Sequence, residues 1–199
     1  MPFIAFLGCD GSGKSAVIRG VAERLTAAGS GVLEGHWRPR PFSASTTPLV
    51  AADDPHGRMP RGLAGSLLKL GWLWLNWWVA WFLDLRRAGK SRVILFDRYH
   101  ADMCVDPRRY RYGGPAWLAG WVSGWMPQPD RVFFLDAEPG VLLTRKREVP
   151  IEALALARDR YRMLCASHAR FAIIDASQPL DAVIEDVYRR IEKMLENPQ

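Results

Sequence analysis

Apolar residues along the chain fall into short unbroken runs separated by longer stretches with helical spacing. The strong runs are Phe3–Leu7 (FIAFL), 92–96 (RVILF), 131–135 (RVFFL) and 171–174 (FAII). Such runs fit strands buried on both faces of a sheet. A weaker run, VLEGHW, covers 32–37. Helical patterns occupy 14–28 (closed by Gly29), 63–88 (stopped by Gly89), 115–126, 139–148 (opened by Pro139), 151–167 and 180–196. The stretch 38–62 is rich in Pro, Ser, Thr and Gly and reads as an irregular loop; 98–114 reads as a polar, Arg-rich loop. Alternation of strand and helix predicts an α/β fold with a mostly parallel central sheet flanked by helices. Ligands of such folds bind at the carboxyl ends of the strands. The tips gathered there are 8–15, 36–41, 97–111, 136–148 and 175–179.

The first tip carries a complete phosphate-binding signature. Gly8-Cys9-Asp10-Gly11-Ser12-Gly13-Lys14-Ser15 matches G-x-x-x-x-G-K-[ST], with a strand before it and a helix after it. Glycines let backbone amides turn inward around phosphate oxygens, and the helix start adds positive charge at the same place. Lys14 reaches the outer phosphates of a nucleotide, and the Ser15 hydroxyl suits Mg²⁺. The Phe96-Asp97-Arg98-Tyr99 tip follows the second strong strand. There Asp97 is suited to Mg²⁺ or to orienting an acceptor, and Arg98 to facing phosphate. Asp136 has the same strand-end form, but Glu138-Pro139 follows at once, so it reads as a helix-entry residue. Arg145-Lys146-Arg147 lies at the end of a helix and before Pro150; it is either favourable charge at a helix end or a lid over a transferring phosphoryl group.

Composition narrows the setting. The chain has 199 residues, 49% hydrophobic and 24% charged, which excludes a disordered tail protein and suits a single domain spanning 1–199. Cys9, Cys104 and Cys165 are too scattered for a disulfide framework, and His36, His56, His100 and His168 show no metal spacing. No leader precedes the first strand, which predicts a cytoplasmic protein. The longest apolar stretch, Leu70 to Leu83, is too short to span a bilayer. The net charge is +6, and Arg supplies 22 of the 27 basic residues. Residues 36–111 hold 13 Lys/Arg against six Asp/Glu. Arg forks suit phosphate or carboxylate, so an anionic ligand is implied.

These residues resemble the thymidylate kinases among the nucleoside monophosphate kinases. The likeness runs in order through GCDGSGKS, ILFDRY (94–99), PDRVFFLDAEPGVLLTRKRE (129–148), RDRYRML (158–164) and IIDASQPLDAVIEDV (173–187). It implies a three-layer P-loop kinase fold with a short lid at about 145–152. It also implies a homodimer, made here through the 63–88 helix, that passes phosphate from Mg-ATP to a nucleoside monophosphate, dTMP by default. Carried over, residues 8–15 bind ATP, with Ala176 and Gln178 beside the base. Lys14, Asp97, Arg98, Arg145 and Arg147 are the catalytic set; Ser15 and Asp97 are the metal set. Asp10, Arg38, Arg98, Arg108 and Arg109 face the acceptor. Two segments depart from the family: HWRPRPF (36–42) keeps only Arg38-Pro39 of its pattern, and VDPRRYRYGGP (105–115) stands where a thymine-reading motif is expected. A sugar or surface-polysaccharide intermediate is therefore an alternative acceptor, and a silent nucleotide-binding scaffold an alternative role. Nucleic acid is not an expected partner.

Tryptophan is concentrated in two places. Trp74, Trp77, Trp78 and Trp81 share one helical face, with Trp72 off it, and read as core or subunit interface. Trp117, Trp121 and Trp125 recur every four residues and read as packing against the long helix. Peripheral membrane contact ranks below both.

Overall fold

The computed structural model describes residues 2–37, 59–86, 92–146 and 149–196. Its five strands are β1 (Phe3–Leu7), β2 (Gly31–His36), β3 (Arg92–Asp97), β4 (Arg131–Asp136) and β5 (Phe171–Asp175). They form one sheet in the order β2-β3-β1-β4-β5, and every pairing is parallel. The sheet is thus wholly parallel, in the three-layer α/β arrangement expected of a P-loop kinase. The described helices are α1 (Lys14–Ala27), α2 (Leu63–Ala80, continued by a π turn at Trp81–Leu85), α3 (Asp102–Val105), α4 (Ala116–Gly124), α5 (Pro139–Arg145), α6 (Ile151–Ser167) and α7 (Leu180–Glu196). None is long and apolar enough to cross a membrane.

The chain groups into two compact units. The first comprises Met1–His36, Ala88–Tyr99 and Pro129–Gln199; the second comprises Trp37–Arg87 and His100–Gln128. The first unit holds the sheet. β1 is its centre, and Ile4, Ala5, Phe6 and Leu7 are fully buried. Alternating side chains serve both faces. Phe134 stacks on Tyr161 of α6 at 4.8 Å, and its neighbour Phe133 meets Phe6 at 5.7 Å on the opposite face. α1 buries Val17, Val21 and Leu25 and packs against α7, which buries Val183, Val187 and Ile191. Both stripes follow the helical repeat.

The second unit is organised differently. α2 buries Ser66, Leu70, Leu73, Trp77 and Ala80 on one stripe. Its other half is apolar but exposed, including Leu68, Trp72, Leu75 and Phe82. Trp77 alone of the expected tryptophan face is fully buried; Trp74 is exposed. α4 buries only Ala119, and Trp117, Trp121 and Trp125 are 72%, 60% and 61% exposed. The expected packing of these rings against the long helix is therefore not observed. α2 and α4 do touch: Gly113 N donates to Ser66 Oγ (2.9 Å), and Trp78 Nε1 donates to the Trp125 carbonyl (3.0 Å). Contacts at both ends set the two helices side by side in the same direction.

Boundaries differ from expectation where chain geometry intervenes. Helix α5 stops at Arg145, where Lys146 turns extended, rather than at 148. Within the expected 98–114 loop, a single helical turn, α3, buries Met103 and Val105. One turn is too short to leave a periodic signal.

Candidate active site

Strand register brings the two strongest motifs together. Phe6 of β1 pairs with Asp97 of β3, so the loop leaving β1 starts beside the end of β3. Arg98 N continues the ladder by donating to the Phe6 carbonyl (2.9 Å). Across this junction Ser15 Oγ donates to Asp97 Oδ2 (3.1 Å), and Arg98 Nη2 donates to Asp10 Oδ1 (2.7 Å). The Asp10–Arg98 pair is nearly buried, with side chains 15% and 10% exposed. Little water screens it, so it fixes both residues more firmly than a surface pair would. Arg98 also adopts φ 69°, a left-handed backbone that non-glycine residues rarely take.

The loop itself has the form its glycines permit. Gly11 and Gly13 both sit at φ 84°. A Cβ at Gly11 would lie 2.9 Å from the Leu142 carbonyl oxygen, so a side chain there is excluded by space as well as conformation. Gly13 caps α1 with no side-chain hydrogen bond, so no cap residue takes up the helix-start amides. Lys14 is buried, and its Nζ donates to the Gly8 (3.0 Å) and Cys9 (2.9 Å) carbonyls and to Ser12 Oγ (3.4 Å).

Asp97 and Ser15 present hard oxygen donors 3.1 Å apart. Asp97 Oδ1 is buried and has no hydrogen-bond partner among the described residues. A buried, unmatched carboxylate oxygen beside a hydroxyl fits a Mg²⁺ ion, which takes one or two protein oxygens and fills the rest with water and phosphate.

The β4 and β5 ends form a second cluster. Arg145 Nη1 donates to the Ala176 carbonyl (2.9 Å), which ties the end of α5 to the turn after β5. Ala176 is buried, and its N donates to the Asp136 carbonyl (2.7 Å). Asp175 accepts from Ser177 Oγ, from Ser177 N (3.0 Å) and from Gln178 Nε2 (3.2 Å). Those bonds, led by the Ser177 hydroxyl, hold its carboxyl below the ordinary range.

Asp136 is not a helix-entry residue. Glu138 occupies that position, without a side-chain cap. The Asp136 carboxylate is instead gripped by two arginines of α6, Arg158 (2.6 and 3.2 Å) and Arg162 (2.8 and 3.1 Å). Arg158 also reaches Glu138 (2.9 Å). The signal was present in RDRYR: arginines four apart share one helix face. What the sequence lacked was the β4–α6 adjacency. Arg38 and Arg147 lie outside the described residues. Arg108 and Arg109 belong to the second unit; Arg108 is exposed, and Arg109 N donates to Asp106 Oδ1 (3.2 Å).

No family model matches the chain. A thymidylate kinase of Nitratidesulfovibrio vulgaris (strain Miyazaki F) is 31% identical over 227 residues, covering 98% of each chain. The chain belongs to the thymidylate kinase family. A second thymidylate kinase of that species (strain DP4) is 30% identical over 220 residues, covering 93% of this chain and 89% of the relative. A probable thymidylate kinase of Sulfolobus acidocaldarius is 23% identical over 203 residues, covering 98% of both. The likeness thus extends through both units. Membership makes the chain a kinase, a phosphotransferase of the nucleotide-handling kind.

Proposed function

We propose that the protein transfers the γ-phosphoryl group of ATP to a nucleoside monophosphate, with dTMP as the acceptor. The observation that carries this is the junction of Ser15–Asp97 and Asp10–Arg98 across the phosphate-binding loop. Phosphoryl transfer asks the protein for positioning and charge neutralisation rather than covalent work. The loop amides and Lys14 hold the donor phosphates in line. Asp97 and Ser15 hold Mg²⁺, which when bound supplies charge neutralisation on the donor phosphates. Arg98, anchored by Asp10, faces the migrating group and keeps its guanidinium fixed as charge shifts. Asp10 and Arg98 meet the acceptor from the same side. Arg145 and the 175–178 turn border the base of ATP; Arg147 completes the lid charge, and Arg38 meets the acceptor phosphate. A homodimer through α2 accompanies this reading, supported by that helix's exposed apolar half.

Coupled ADP release, measured across dTMP, dUMP, UMP, CMP and AMP, tests the proposal against Lys14→Ala as the blank. Turnover stimulated most by dTMP is expected. No stimulation by any of them above the blank overturns it. A second reading keeps the donor site and changes the acceptor to a sugar-pathway intermediate. It rests on Arg108, Arg109 and Arg111 in the 105–115 segment, where the family pattern is replaced. Turnover on sugar acceptors alone favours it.

A further inference from the structure

Helix α5 ends against the phosphate-binding loop. The Leu142 carbonyl oxygen is the atom nearest to the place a Cβ would take at Gly11, at 2.9 Å, and the next is Lys146 Cβ, at 3.5 Å. All three residues belong to the first unit. Gly11 is the fourth of the loop's eight residues, so α5 meets the loop midway along its length.

This junction brings two negative features together. The last carbonyls of a helix carry partial negative charge. A phosphate-binding loop gathers anions. A cation at the helix end offsets both. α5 has two there, Arg145 and Lys146. Arg145 Nη1 is turned to the Ala176 carbonyl (2.9 Å), on the β5 side. Lys146 leaves the helix with an extended backbone, while its N still donates to the Leu142 carbonyl (2.9 Å). That bond fixes the root of the Lys146 side chain beside Gly11. The residue is exposed, and its four-carbon stem gives the ammonium the reach to follow a group held in the loop.

The loop's own lysine is already engaged. Lys14 Nζ donates to the Gly8 and Cys9 carbonyls and to Ser12 Oγ, and an ammonium has three protons to give. Backbone amides of such a loop cradle the inner phosphates of a nucleotide, which leaves the outermost one to side chains. A second cation rooted at Gly11 answers that need.

We propose that Lys146 is a further catalytic residue, its ammonium meeting the γ-phosphoryl group of the donor from the α5 side of the loop. The inference rests on ATP as the donor in the reading above and not on the identity of the acceptor. During transfer the γ-phosphorus loses its bond to the oxygen that bridges it to the β-phosphate. The electron pair of that bond stays on ADP, and a new bond forms to an oxygen of the acceptor. Little covalent help is needed from the protein, so a cation that travels with the migrating oxygens lowers the barrier. Arg145, bonded to a backbone carbonyl, is held at the other side of α5.

The test pairs Lys146→Met, which keeps the stem and removes the charge, with Lys146→Arg, which restores the charge. Calorimetric titration with magnesium and either ATP or ADP reads binding without any acceptor. Lys146→Met should weaken ATP about tenfold and ADP less than about twofold. Lys146→Arg should bind both as the parent protein does. With dTMP present, kcat of the Met variant should fall about 10²-fold while KM for dTMP and the melting temperature stay unchanged. A charge serving only the end of α5 would lower the melting temperature and leave the ratio of ATP to ADP affinity as it is; that result overturns the proposal. So does an equal loss of affinity for both nucleotides. A parent protein that binds neither nucleotide overturns the donor reading and this inference together. One that binds ATP but phosphorylates no nucleoside monophosphate overturns the acceptor reading alone, and the ATP–ADP comparison still decides the role of Lys146.

Discussion

The two units solve opposite problems: none of the nine tryptophans lies in the first, and all nine lie in the second. The first unit buries the apolar side chains of its three central strands, β3, β1 and β4, and concentrates its polar chemistry at the strand ends. The second buries a single stripe of α2 and turns large aromatic rings outward. Apolar residues in the first unit report where the fold is; in the second many of them stand exposed and do not. Reading both by one rule, with hydrophobic side chains inside, misplaces the α4 tryptophans.

The largest expected effect lies in the first unit. On the proposed function, Lys14→Ala should lower kinase turnover by about 10²–10³-fold, since it removes the buried cation assigned there to the donor phosphates. Its thermal midpoint should move little by comparison. Initial rates of ADP release and a melting curve on the same sample check both halves.

Next comes the Asp136 clamp. Asp136→Asn leaves Arg158 and Arg162 facing a neutral amide, with Asp136 7% and Arg158 17% exposed. A loss of about 2–3 kcal/mol is expected, reduced from the buried-pair value because Arg162 is half exposed. Urea unfolding measures it. If the loss falls below about 0.5 kcal/mol, the clamp is no tighter than a surface pair.

In the second unit, His100 supplies a pH effect. Its ring is buried, and neither nitrogen has a hydrogen-bond partner among the described residues. Burial pushes its pKa down from 6.5 to about 4. The folded state thus holds the neutral ring while the unfolded chain binds a proton below pH 6.5. Stability from this group is complete above pH 6.5 and falls as pH drops toward 4, by up to about 3 kcal/mol. Replacing His100 with Leu should flatten the melting temperature between pH 6.5 and 4.5.

The smallest effect is a gain. Gly120 lies within exposed α4, and a Cβ there meets nothing within 4 Å. Gly120→Ala should stabilise by about 0.5–1 kcal/mol through helix propensity. A loss instead would mean that this side of α4 is packed against something in solution.

Much of the first unit was legible in residue order. Buried parallel strands write continuous apolar runs, so β1, β3, β4 and β5 fell within a residue of their observed limits. The phosphate loop was legible because its chemistry is local: eight consecutive residues carry it. The Ser15–Asp97 and Asp10–Arg98 contacts join positions more than eighty residues apart, and only the pairing of β1 with β3 reveals them. Asp136 was misread for the same reason, since Arg158 and Arg162 reach it from a later helix. In the second unit, periodicity located α2 and α4 but could not tell a face that is covered from one that is bare. The π turn at Trp81–Leu85 further shifts the phase of α2 at its end, which no regular repeat anticipates.

Arg98 stands at φ 69°, where an L-residue with a side chain costs about 1–2 kcal/mol relative to the right-handed form. Glycine would sit there without that penalty. Laboratory evolution selecting on heat resistance alone would therefore be drawn toward discarding this arginine, together with the acid that anchors it. With Arg98 facing the migrating group as proposed, directed screens on this scaffold need to score turnover alongside survival.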